Sequence, residues 1–315
     1  MSSTRWLCLT LGPVLIVGLL YGLTMWERPG RLAASESGTS PSRFGEARLD
    51  LNQAELKAAC QRAAEDLPPL LDARCNILVR EPYVLAGDLS EERLERIYRE
   101  TILPTSQALS IGYFDIKPHE PIIILLFSGE RMYRRHAKRL DGRENANYHG
   151  YYQRTDRRIV LNISTGNGTL AHELTHALAH CDFPNMPEWF DEGLASLHEQ
   201  SRFTDDGLRL EGNSNWRINF LLPAVHGNRL QSLSDLMSTR TVRTKEESVH
   251  YAHARYFCLY LQSRNLLEPF YRKFRHTAEQ DPTGIKTLSE VLQLDSMETV
   301  DRDFRNWLLN QAVER

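Results

Sequence analysis

Leu170-Ala171-His172-Glu173-Leu174-Thr175-His176-Ala177-Leu178, with Pro187-Glu188-Trp189-Phe190-Asp191-Glu192-Gly193-Leu194-Ala195 close behind it, is the stretch on which the fold turns. Leu170, Leu174 and Leu178 recur at helical spacing and make one apolar stripe. On the opposite face, His172 and His176 are four residues apart, which places them about 40° apart around the axis and about 6 Å along it. Two imidazoles so placed can converge on one tetrahedral zinc ion at about 2.0–2.1 Å. Glu173 lies about 60° beyond His176, on the side away from His172. From there its carboxylate can reach a water held between the histidines without itself being a ligand. The pattern is H-E-x-x-H, whose chemistry is metal-assisted hydrolysis.

Pro187 suits the first turn of a second helix. Phe190, Leu194 and Leu197 share its apolar face, and Glu192 points the other way with Ala195 and Ser196 beside it. These small neighbours allow close approach to the first helix, as a shared ion requires. Three carboxylates compete for the third ligand position. Asp191 is about 100° from Glu192, and Glu188 shares the face of Glu192 one turn earlier. His180 continues the histidine stripe but lies about 12 Å along the axis from His172, too far for the same ion.

H-E-x-x-H followed by W-x-x-E-G-x-A resembles the gluzincin branch of the zincin metallopeptidases, the thermolysin-like superfamily, over about residues 121–200. The resemblance implies His172, His176 and Glu192 as metal ligands, Glu173 as general base, and one Zn2+ per chain with a position open for water. It implies an α+β fold: a zincin-like core whose small mixed sheet packs on the H-E-x-x-H helix, with a mostly helical C-terminal half. Peptide or protein substrates would be hydrolysed by activated water. The metzincin branch is excluded, because Ala179 and Asp182 stand where it needs glycine and histidine. Gluzincins also supply a tyrosine or histidine to the oxyanion. Within His250-Tyr251-Ala252-His253-Ala254-Arg255-Tyr256, Tyr251 is the first candidate and Tyr256 the second, against simple packing of both. The rival from another class is a catalytically silent zinc-fold scaffold at the membrane.

Outward from this centre the chain divides into four parts. Trp6 to Trp26 carries no charged residue and matches the hydrocarbon thickness at about 1.5 Å per residue. It is read as a transmembrane signal anchor over residues 6–26, against the rival of a cleaved signal peptide, whose h-region is usually about 7–15 residues and whose small-x-small cleavage site Leu23-Thr24-Met25-Trp26 does not offer; a flexible Pro/Gly/Ser linker follows over 27–45. Residues 46–120 are expected to be a helical region, with Ser90 capping a helix that opens Glu91-Glu92. Residues 121–315 form the metallopeptidase domain. There Pro121–Phe127 reads as a strand buried on both faces. Gly150-Tyr151-Tyr152 and Arg158–Asn162 read as further strands, the latter an exposed edge to which a peptide could add.

With 41% hydrophobic and 25% charged residues, the bulk is that of an ordinary globular protein, and the net charge of −3 leaves no basic excess for nucleic acid. Cys60, Cys75, Cys181 and Cys258 permit disulfides, Cys60–Cys75 first, or separate buried thiols. The anchor and the even cysteine count place the catalytic domain on the extracytoplasmic side. Two N-glycosylation sequons, at Asn162 and Asn167, flank the histidine helix, so a compartment without that modification, such as a bacterial periplasm, is expected.

Overall fold

Ile122–Phe127 (β3) is the middle strand of a five-stranded sheet in the order β1-β2-β3-β5-β4. The computed structural model describes residues 43–143, 149–241, 247–293 and 296–313. The other strands of the sheet are β1 (Asn76–Arg80), β2 (Tyr83–Gly87), β4 (Gly150–Gln153) and β5 (Arg158–Asn162). β3 runs parallel to β2 and β5, while β1 and β4 pair antiparallel at the two edges, so the sheet is mixed. A short hairpin, β6 (Ser201–Phe203) with β7 (Leu210–Gly212), stands apart from it.

Helices α1 (Arg43–Asp66), α2 (Glu91–Ile97), α3 (Leu103–Gly112) and α4 (Glu130–Asp141) alternate with the first strands. α5 (Asn167–Asp182) and α6 (Glu188–His198) carry the histidine and glutamate segments. The remainder is helical: α7 (Ile218–His226), α8 (Leu233–Ser238), α9 (Glu247–Ser263), α10 (Leu267–Thr277), α11 (Ile285–Leu292) and α12 (Met297–Val313). The fold is thus α+β, predominantly helical with a small mixed sheet.

Alternation along the strands divides the core in two, because successive side chains leave a strand on opposite faces. Ile124, Leu126, Ile159 and Leu161 join the cluster of Leu170, Leu174 and Ala177 from α5. Leu125, Phe127 and Val160 face the other way, onto Cys60 and Ala64 of α1 and Tyr133 and Ala137 of α4. The continuous apolar run of β3 is therefore a strand covered on both sides, as expected. Ser90 caps α2 by accepting a hydrogen bond from the Arg93 amide.

Several expectations are corrected. Residues 76–87, within the stretch read as helical, form β1 and β2. Their signal was legible: Ile77-Leu78-Val79 and Tyr83-Val84-Leu85-Ala86 are short apolar runs, and a Glu81-Pro82 turn divides the pair. β5 is not an edge, because the turn at 154–157 folds β4 outside it, leaving β4 at the margin. No disulfide joins the described cysteines. Cys60 and Cys258 are buried thiols, and Cys75 and Cys181 are partly buried ones. The anchor (6–26) and most of the linker lie outside the described residues. Among those described, no helix is long and apolar enough to cross a membrane. α1 has the length, at 24 residues, but charged residues recur throughout its sequence. The assignment to a membrane, with an extracytoplasmic domain, is corrected accordingly.

Candidate metal centre

Helix α5 lays its leucine stripe on the sheet, and this turns the histidine stripe toward α6. Pro187 is the N-cap of α6, and Trp189, Phe190 and Leu194 are fully buried, which fixes the rotation of α6 about its axis. Gly193 sets how closely α6 approaches α9. A Cβ there would lie 2.9 Å from the Ala254 carbonyl oxygen and 2.9 Å from Cys258 Sγ. The small residue after Glu192 thus serves the contact with α9, a role that helical spacing alone did not reveal.

The result is a triangle of donor atoms. His172 Nε2 lies 3.1 Å from His176 Nε2. Glu192 Oε2 lies 3.5 Å from His172 Nε2 and 3.4 Å from His176 Nε2. Donors bound to one tetrahedral ion at 2.0–2.1 Å are about 3.3–3.4 Å apart. The three atoms already have that spacing, and two imidazoles with one carboxylate are a donor set that suits zinc. Glu173 is buried beside them, and its carboxylate, His172 and His176 offer donor atoms all within 4.8 Å of one another.

Asp191, a rival for the third ligand position, occupies a different place. Its Oδ1 lies 2.7 Å from His176 Nδ1 and its Oδ2 lies 2.8 Å from His180 Nε2. These are lengths of charge-assisted hydrogen bonds, shorter than the separation of two ligands on one zinc. Because Asp191 and Glu192 are consecutive on a helix, they leave it about 100° apart. One turn of α6 therefore addresses both nitrogens of the His176 ring. Asp191 fixes the tautomer from behind and leaves Nε2 to face the triangle. His180, in the last turn of α5, is half-buried and held by the same carboxylate.

Electrostatics follow from this packing. Burial pushes the Glu192 carboxyl up, but His176 and His172 outweigh it and hold its pKa well below the ordinary value. For Asp191 burial is likewise outweighed by His176 and His180, and the pKa is lowered. Burial opposes protonation of His176, yet Asp191 and Glu192 raise its pKa well above the ordinary value. Such a site takes up positive charge readily. A divalent cation there must compete with a proton.

On the other flank, Gly168 lies one turn before His172 on the same face of α5. A Cβ at Gly168 would meet the Glu199 carbonyl oxygen at 2.7 Å and Glu199 Cγ at 3.7 Å. Glu199 therefore packs beside His172, whose charge helps to lower its pKa against the effect of burial. Arg217 holds the Glu199 carboxylate with two nitrogens, at 2.8 and 3.2 Å. Glu199 follows Glu192 by seven residues, a same-face spacing from which it was legible. Arg217 comes from a loop and gave no such signal.

The two tyrosine candidates separate. Tyr251 is half-buried, with the Arg217 guanidinium 6.0 Å from its ring centre, which puts it on the Glu199 flank. The Tyr256 hydroxyl is fully buried, donates to the Asn215 carbonyl at 2.8 Å and accepts from the Asn215 amide at 2.9 Å. Tyr256 therefore anchors the loop before α7 and is withdrawn as an oxyanion donor. Comparison with models of protein families and with curated proteins finds no match for this chain.

Proposed function

We propose that the protein is a zinc-dependent peptidase of the gluzincin type, with a zincin-like core formed by the sheet and α5. The observation that carries this reading is the triangle of His172, His176 and Glu192, whose donor separations of 3.1, 3.5 and 3.4 Å suit a tetrahedral ion. His172, His176 and Glu192 would hold the zinc, one per chain. When bound, zinc supplies a Lewis acid that polarises a carbonyl and acidifies water.

The chain's own residues supply the rest. Glu173 accepts a proton from water as the water oxygen attacks the amide carbon, then delivers that proton to the leaving nitrogen as the C–N bond breaks. Asp191 holds His176 in one tautomer throughout. β4 is the sheet edge beside α5, where Gly150 packs on Thr169, so closely that a Cβ would lie 2.8 Å from its methyl group. An extended peptide can add along that edge, where backbone groups hold it and pockets select its side chains. Tyr251 and Arg217, across the site on the Glu199 flank, are the groups to test as oxyanion donors.

Purified protein loaded with zinc tests the reading against a peptide library, with and without a chelator. Cleavage that stops on chelation and returns with zinc is the expected result. A fully zinc-loaded, folded protein that cuts no peptide would leave the silent scaffold as the better account.

A further inference from the structure

Beyond the triangle, where β4 ends against the C-terminal part of α5, lies a cavity of about 110 Å³. Tyr152 and Arg154 line it from β4 and its turn, Arg157 from the same turn, Glu120 from the approach to β3, and His180 and Cys181 from α5. The Tyr152 ring centre is 5.5 Å from that of His180, and His180 shares Asp191 with His176. The cavity is thus one carboxylate removed from the metal triangle and lies at the end of β4, the marginal strand of the sheet.

Its charges do not cancel. Glu120 ion-pairs with Arg157. Arg154 donates to the Pro184 carbonyl and pairs with no carboxylate among the described residues. A guanidinium has five N–H donors in a planar fork, so both arginines keep donors beyond these partners. Of the other nearby acids, Asp191 is already shared by His176 and His180, and Asp182 is held by Tyr271 and Arg275. The cavity has room for a carboxylate side chain.

We propose that this cavity is a subsite for an acidic residue of a peptide lying along β4, an inference that rests on the peptidase reading for its substrate. His172 and His180 are eight residues apart, about 12 Å along the helix. An extended chain covers that in three to four residues at about 3.3 Å each. The acidic residue therefore sits about three or four residues from the bond that is cut.

Sequencing the products of zinc-dependent cleavage of a peptide library reads the preference position by position. Wild type should enrich Asp and Glu at one position at that spacing. Arg154→Met should reduce the preference about tenfold, in line with loss of one charged hydrogen bond. Arg154→Glu should replace it with Lys and Arg. Cleavage with no acidic preference, or a preference that survives Arg154→Glu, overturns the proposal. Titration with acetyl-aspartyl-methylamide, followed by the probe's NMR signals, reads the cavity without turnover. Binding by wild type that Arg154→Glu abolishes upholds the subsite even if no peptide is cut, which then counts only against the peptidase reading. Equal binding of the asparagine analogue or of inorganic phosphate overturns it.

Discussion

Asp191→Asn perturbs the two hydrogen bonds behind the donor triangle and leaves the triangle itself in place. The carboxylate accepts from His176 at 2.7 Å and from His180 at 2.8 Å. The asparagine carbonyl can replace one of these bonds, without charge. Removing the outer partner of a ligating histidine typically weakens metal affinity by about 10- to 100-fold, or about 1.4–2.7 kcal/mol. A second effect opposes the first. In the metal-free protein Asp191 also raises the pKa of His176 against the effect of burial, so its loss weakens the competing proton as well as the metal. The deficit in zinc affinity should therefore be smallest at low pH, where proton competition matters most, and grow as pH rises past the titration of His176 in wild type. Competition with a chromophoric chelator at a series of pH values measures it, with circular dichroism as a check on folding. Unchanged zinc affinity across that range would refute the role given to Asp191. A deficit independent of pH would show general damage to the site instead.

Glu173→Gln should retain zinc, since its neighbours alone form the triangle, while hydrolysis falls by about 10²- to 10⁴-fold; equal turnover by the variant would remove Glu173 as the base. Gly193→Ala would put a methyl group 2.9 Å from the Ala254 carbonyl and should cost about 1–3 kcal/mol in urea unfolding, with weaker zinc binding because Asp191 and Glu192 move with α6. His253 is fully buried and stacked on Phe304, with both ring nitrogens unpartnered among the described residues. Burial, with lesser contributions from Arg305 and His250, depresses its pKa to about 3. As pH falls below about 6.5 the unfolded chain binds this proton first, so stability declines down to the folded pKa, by up to about 1.4 kcal/mol per pH unit. His253→Phe should flatten that decline between pH 6.5 and 4 by urea titration; an unchanged slope would show that His253 does not contribute to it.

What the sequence determined by itself is what depends on local periodicity. A four-residue spacing on a helix puts His172 and His176 on one face and the leucines on the other, whatever the rest of the chain does. The β-branched run of β3 and the Ser90 cap were legible for the same reason: each is decided within a few residues. Asp191 and Glu192 could be shown to diverge by about 100°, but not which of them faces Nε2 of both histidines. That was decided by the rotation of α6, fixed by burial of Trp189 and Phe190 and by the contact of Gly193 with α9. Strand order was likewise beyond local pattern. β4 became the edge because the turn at 154–157 folds it outside β5, while the opposite side of β5 is already paired with β3. Tyr251 and Tyr256 differ by five residues on one helix, and only the loop that closes over the Tyr256 hydroxyl told them apart. In each case the deciding contact joins residues far apart in the chain, and no local spacing encodes which of them will meet.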